Sequence, residues 1–154
     1  MSAIDDRLKS LGLTLPTPVA PVANYVPFTV QDGVVFVSGQ ISTGPDGLVT
    51  GRLGADLDVP AGQAAARLCG INIIAQMKAA CDGDLDRVAQ VLKLGGFVNA
   101  TPDFVEIPHV INGCSDLMVE VFGDAGRHAR SAVACPTLPL GVAVEVDCIF
   151  AIKR

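Results

Sequence analysis

The stretch from His128 to Phe150 constrains this chain more than any other. It reads His-Ala-Arg-Ser-Ala-Val-Ala-Cys-Pro-Thr-Leu-Pro-Leu-Gly-Val-Ala-Val-Glu-Val-Asp-Cys-Ile-Phe. Two apolar runs, Ser131–Cys135 and Val142–Phe150, flank a Pro-Thr-Leu-Pro-Leu-Gly connection. Composition and punctuation predict strand, turn, strand. Arg130 opens the first run, and Glu145 stands between valines in the second. A carboxylate in a buried strand is costly unless it is paired or hydrogen-bonded. Brought close by a hairpin-like return, the two would suit a small carboxylate ligand and a water. They would equally suit a structural Arg–Glu pair, or a Glu pointing out of the sheet. Alternation puts Ala143, Glu145 and Asp147 on one face and Val142, Val144 and Val146 on the other, with the valines toward helices.

The rest of the chain supplies those helices. Ser2 with Asp5 forms a capping-box pattern for a short helix carrying Ile4, Leu8 and Leu11 on one face and ending at Gly12. Leu13–Pro21 holds three prolines and predicts an extended crossing segment. Asn24–Val30 and Val34–Ile41 have strand composition, with Gln31-Asp32-Gly33 as the hairpin turn between them. Ser38-Gly39-Gln40 then places small and polar groups where a backbone can approach a ligand, or form a bulge. Thr43–Asp58 reads as loop.

Pro60 opens a helix predicted to run to about Asp82, with Ala64, Leu68, Ile71, Ile74, Ala75, Met77 and Ala79 as its apolar face. Leu85–Val88 links it to a central strand, Val91–Asn99, kinked at Gly95-Gly96. Thr101 or Asp103 is positioned to cap a second helix, with breaks expected near Pro108 and Asn112-Gly113. Ser115–Phe122 continues it, and Gly123–Gly126 ends it. The order strand, strand, helix, strand, helix, strand, strand predicts an α+β sandwich with the helices on one face.

Composition excludes several function classes. A formal net charge of −5, one Tyr and no Trp disfavour nucleic acid and acidic membrane surfaces as partners. Five cysteines, an odd number without CxxC spacing, indicate neither a zinc site nor a disulfide framework. They read as small buried hydrophobes. The two histidines, His109 and His128, have no third ligand near them in sequence, so no metal is expected. His128, beside Arg130, fits a pocket lining or a helix cap. Gly-x-Ser-x-Gly, a phosphate loop and a dinucleotide fingerprint are all absent. No signal-peptide pattern and no spanning apolar run is visible, which points to the cytoplasm. Charged residues make up only 18% of the 154, which predicts apolar surface buried between subunits.

Short segments along the chain resemble one family. They are Asn24-Tyr25-Val26, Val37-Ser38-Gly39-Gln40, Phe97-Val98 with Asp103-Phe104, Ala129-Arg130-Ser131, and Leu138-Pro139 before Val144-Glu145-Val146. In this order and spacing they are similar to the Rid/YjgF family of reactive-intermediate (imine/enamine) deaminases, also called the endoribonuclease L-PSP family. The resemblance covers Tyr25 to the C-terminus, leaving residues 1–20 as an N-terminal extension of a single 1–154 domain.

That resemblance implies a chorismate-mutase-like α+β fold, with a mixed, mainly antiparallel sheet and two helices on one face. It implies a homotrimer with sites between subunits, acting without a cofactor. The implied reaction hydrolyses a C=N bond, converting a 2-imino or enamino acid to a 2-keto acid and ammonia. By carry-over, Arg130 would hold the substrate carboxylate and Glu145 would position the water. Tyr25, Ser38 and Gly39 would line the pocket, and Asn112 would be its asparagine. The backbone carbonyl of Ala132, where the family often has Cys, would meet the imine nitrogen. The alternatives are a noncatalytic trimer binding small carboxylates or a protein partner, and an endoribonuclease. Few aromatics and an acidic charge weigh against the last.

Overall fold

The computed structural model describes residues 1–18 and 20–154. Its central element is a five-stranded sheet ordered β1-β2-β7-β5-β6, built from β1 (Phe28–Gln31), β2 (Val34–Ile41), β5 (Val88–Asn99), β6 (Ala129–Cys135) and β7 (Val144–Ile152). All pairings are antiparallel except β5 with β6, which is parallel. The parallel pair is joined through a long helix, as a crossover requires. Two helices, α2 (Val59–Ala80) and α3 (Ile107–Phe122), lie on one face. The Thr43–Asp58 stretch, expected as loop, contains a two-stranded ribbon of β3 (Thr43–Gly44) and β4 (Gly47–Leu48).

The alternation expected for the last strand decides the core. Val144, Val146, Cys148 and Phe150 are buried beneath the helices, while Glu145, Asp147 and Ile149 are half-buried on the open face. Gly96 is level with Val146 and lies directly under Ile111 of α3. The Cys69 thiol of α2 reaches the Val144 carbonyl at 3.4 Å. Both helices therefore cover the valine face, and burial of that face is the main stabilising force.

Local signals account for most boundaries. Asp32 and Gly33 both take positive φ, 53° and 79°, the twist-matched turn of a tight hairpin. Helix α1 (Ala3–Ser10) has both hydrogen bonds of the Ser2–Asp5 capping box. Leu8 is buried, with Ile4 and Leu11 packed against the core. The helix is fastened by Lys78 to Asp5 at 2.8 Å and by Asp86, which accepts from the Ala3 and Ile4 amides. The segment expected to cross over Leu13–Pro21 carries no helix or strand at its described residues; Val19 lies outside them.

Several expectations are corrected. The two apolar runs after Arg130 do not form a hairpin, because β5 lies between β6 and β7. The first strand begins at Phe28, not Asn24. Its predecessors are tied instead by Ser38, whose amide donates to Pro27 O at 2.9 Å and whose hydroxyl donates to Val26 O at 2.7 Å.

Helix α3 is unbroken at Asn112-Gly113, and Pro108 sits in its first turn, where a missing N–H costs nothing. Neither Thr101 nor Asp103 caps it; the cap position is Glu106, without a side-chain bond. Gly113 is a packing residue, since a Cβ there would enter the Gln63 backbone of α2. In α2 itself, Ile74, Ala75 and Met77 of the expected face are buried, but Ala64 and Ala79 are exposed, and Ala65, Ala66, Cys69 and Ile73 complete the buried face. This helix is apolar nearly all round because it meets both the sheet and α3. Its periodicity therefore leaves its orientation undetermined.

Candidate active site

The expected site residues fall into two groups, one at the β6 edge of the sheet and one around the central strand β7 and its neighbour β2. Arg130, Ala132 and Asn112 form the first, where edge strand β6 meets α3. Arg130 is level with Leu94, a fully buried residue on the helix side. Its guanidinium turns to α3. Nη1 donates to Asn112 Oδ1 at 2.9 Å and to Ser115 Oγ at 3.1 Å, and Nη2 donates to the Pro108 carbonyl at 3.2 Å.

A guanidinium has five N–H donors. Three are engaged here, so Nε–H and one hydrogen on Nη2 remain among the described residues. Nε and Nη2 present their hydrogens along one edge, the fork that receives a carboxylate bidentately. None of the described ion pairs includes Arg130. The structural Arg130–Glu145 pair considered from sequence is therefore absent within one protomer.

Glu145 meets Gly39 in the second group, and Ser38 and Tyr25 lie beside Gly39 around a cavity that Glu145 does not line. Glu145 is level with Ile41 of β2 and Phe97 of β5 and points to the open face. The β2–β7 register shifts between Val37 and Gln40, and Gly39 lies in that bulge. A Cβ on Gly39 would collide with Glu145 Oε1. The glycine leaves the space that the carboxylate fills. Tyr25, 57% exposed, Ser38 and Gly39 line one end of a cavity of about 880 Å³, whose walls also include Leu68 and Ile71 of α2. The Ser38 hydroxyl is occupied with Val26 O.

Sequence reading did not single out Asp147 as a partner of Glu145. It stands two residues on along the same face and lies over Gly95 of β5, as Glu145 lies over Gly39 of β2. The signal was present: two carboxylates at strand alternation, each level with or near a glycine on a neighbouring strand. Burial raises the Glu145 pKa, and the Asp147 charge raises it further. Burial also raises that of Asp147, opposed by a Gly95 backbone hydrogen bond and by Lys93. Beside Arg130, burial pushes the Cys114 thiol up to about 12, against the pull of the guanidinium. Cys69 and Cys148 are likewise buried and shifted upward by desolvation. These thiols are packing groups, not nucleophiles.

No cluster of three metal-ligating side chains occurs among the described residues, and no helix is long and apolar enough to cross a membrane.

A mixed sheet under two helices, with an arginine on one edge strand and a carboxylate on the central strand lying over a glycine of the next, defines a chorismate-mutase-like fold with split polar sites. The family model described as "YjgF/chorismate_mutase-like, putative endoribonuclease" matches residues 5–152. The chain belongs to this YjgF/L-PSP family. The matched span includes most of the segment read as an N-terminal extension.

Protein TCP17 of Trypanosoma cruzi is 50% identical over 150 residues, covering 96% of this chain and 93% of its own. The crystal structure of Atu1372, a protein of unknown function from Agrobacterium tumefaciens, is 50% identical with a TM-score of 0.91, covering 97% of this chain and 92% of that one. Escherichia coli TdcF, solved with bound serine, is 25% identical with a TM-score of 0.61, covering 90% of this chain and 97% of its own.

Proposed function

We propose that the protein hydrolyses 2-imino acids, or their enamine tautomers, to 2-keto acids and ammonia at sites shared between the subunits of a homotrimer. The observation that carries this reading is Arg130. It is half-buried and held by three bonds to α3, and it retains two donors while having no carboxylate partner among the described residues. That is an arrangement for a ligand carboxylate. The bound serine of TdcF, itself an amino-acid carboxylate, supports the same ligand class.

The assembly follows from where the two groups lie. Arg130 turns to α3 at the β6 edge while Glu145 points to the open face from the central strand, so one protomer cannot close a site around a small substrate. Packing the Arg130 edge of one protomer onto the Tyr25–Glu145 region of the next does so. A contact between two different surfaces closes into a ring when its rotation allows. Three copies of the 15.9 kDa chain give about 48 kDa.

The chemistry needs few groups. Arg130 orients the imine through its carboxylate. Glu145, whose pKa is raised by burial and by Asp147, takes a proton from the attacking water. The oxygen adds to the imine carbon, and the nitrogen is protonated. The resulting carbinolamine loses ammonia and leaves the 2-keto acid. The Ala132 carbonyl receives the imine N–H, and Asn112 holds Arg130 in plane. The electrophile is already present in the substrate, so orientation and one base suffice.

A second reading is a trimer that binds small carboxylates without turnover. The Arg130 group favours it, because that half is assembled within one chain whereas Glu145 is not beside it. The test generates 2-iminopropionate with a dehydratase and follows pyruvate release. Acceleration proportional to added protein supports the deaminase. Pyruvate binding without acceleration supports the second reading.

A further inference from the structure

We propose that Ser115 and His128 form an oriented hydrogen-bond relay that positions Arg130, making both residues determinants of carboxylate binding. This rests on the carboxylate reading of Arg130 and adds two residues that the family resemblance did not supply.

The direction of the relay follows from its fixed end. His128 Nδ1 lies 2.7 Å from the Gly126 carbonyl, which can only accept. Nδ1 therefore carries the hydrogen, and a neutral ring leaves Nε2 as an acceptor. Nε2 lies 2.9 Å from Ser115 Oγ, so the serine hydroxyl donates to it. The remaining oxygen lone pairs then accept from Arg130 Nη1 at 3.1 Å. The chain runs from Arg130 Nη1–H to Ser115 Oγ–H to His128 Nε2, with Nδ1–H on Gly126 O. Each bond polarises the next in the same sense.

The anchor is itself fixed. Gly126 is buried, and a Cβ there would enter the Met118 carbonyl of α3. The relay thus ties the start of β6 to Ser115 in the middle of α3 and to the Gly126 carbonyl just beyond its end. Without it, only the bonds to Asn112 and Pro108 would hold the guanidinium, and more of its rotamer freedom would be given up when a ligand binds. Holding Nη1 beforehand leaves the Nε–Nη2 edge facing the ligand and lowers the ordering cost of binding. From sequence, His128 fits a pocket lining or a helix cap. The structure gives it a bond to the Gly126 carbonyl just beyond α3 and, through Ser115, a link to the guanidinium.

Two measurements test the proposal. The first is the His128 tautomer, from long-range ¹H–¹⁵N correlation on the wild-type assembly at about pH 8.5. Protonated Nδ1 with unprotonated Nε2 is expected; the reverse tautomer overturns the relay whatever the protein binds. The second compares wild type with Ser115→Ala, His128→Leu and His128→Gln in 2-oxobutyrate binding and in turnover. Ser115→Ala and His128→Leu should raise Kd and KM about threefold to tenfold, the value of one lost hydrogen bond. Their kcat should stay within about twofold, because the lost contact serves ground state and transition state alike. His128→Gln retains an amide oxygen for Ser115 and should recover most of the affinity. Unchanged Kd in Ser115→Ala overturns the positioning role. If wild type neither binds 2-oxobutyrate nor turns over, the carboxylate reading fails instead, and the tautomer alone still decides the relay.

Discussion

Arg130 and Glu145 stand on opposite faces of one sheet, with β5 between their strands. Arg130 is level with Leu94 and Glu145 with Phe97, so two strand spacings and three residues separate their Cα atoms, about 14 Å. The guanidinium turns to α3, while the carboxylate lies over Gly39 on the open face. Neither can serve the other within a protomer. Any chemistry that uses both needs a second copy of the chain.

Arg130→Lys should abolish most 2-keto acid binding and leave the assembly intact. An ammonium cannot bond Asn112, Ser115 and the Pro108 carbonyl and still present a bidentate edge. The loss corresponds to about 1.5–3 kcal/mol, roughly tenfold to a hundredfold in Kd. Isothermal titration with pyruvate, beside light scattering on the same sample, checks both halves.

Gly39→Ala should impair turnover without unfolding the protein. The new methyl would displace Glu145 from the space it occupies, and the bulge would keep its register. A displacement on the scale of 1 Å costs about a hundredfold in rate. Pyruvate affinity should hold, since the carboxylate is gripped by Arg130 of the neighbouring subunit, whose bonds to α3 the new methyl does not touch. Equal losses in binding and rate would show that Gly39 serves the carboxylate subsite instead.

Glu145 also makes a pH-dependent contribution to stability. Its folded pKa is raised above the ordinary 4.5 by burial and by Asp147. The folded chain therefore holds this proton more tightly than the unfolded chain. Its contribution is most favourable below the ordinary value and declines as pH rises through that value toward the raised one. Glu145→Gln has no proton to lose. Urea unfolding should show the variant gaining on wild type between about pH 4 and neutrality. A constant difference across that range would contradict the assignment.

Much of the fold was legible in the sequence because the signals were local. The Ser2–Asp5 box, the Asp32-Gly33 turn and the alternation of Val144–Phe150 each depend on neighbours within a few residues, and each appears as expected. Strand pairing was not legible. The Pro-Thr-Leu-Pro-Leu-Gly connection looks like a hairpin turn, yet β6 pairs with β5 in parallel and leaves β7 on its far side. That choice is made by the crossover through α3, which no short pattern encodes.

The site divides the same way. Arg130 and Glu145 stand out by charge in apolar runs. The match between Glu145 and Gly39, and the approach of Ser115 and His128 to Arg130, arise only when distant segments pack.

The central claim is that each site takes Arg130 from one subunit and Glu145 from another. Complementation tests it most directly. Arg130→Ala and Glu145→Gln proteins are assayed alone, then after being unfolded and refolded together in equal amounts. Each alone should show little imine hydrolysis. In a random mixture a site is intact only where a Glu145→Gln subunit supplies Arg130 and an Arg130→Ala subunit supplies Glu145. Such pairs form about a quarter of all interfaces, so about a quarter of wild-type activity should return. A mixed assembly no more active than its components would contradict the shared site.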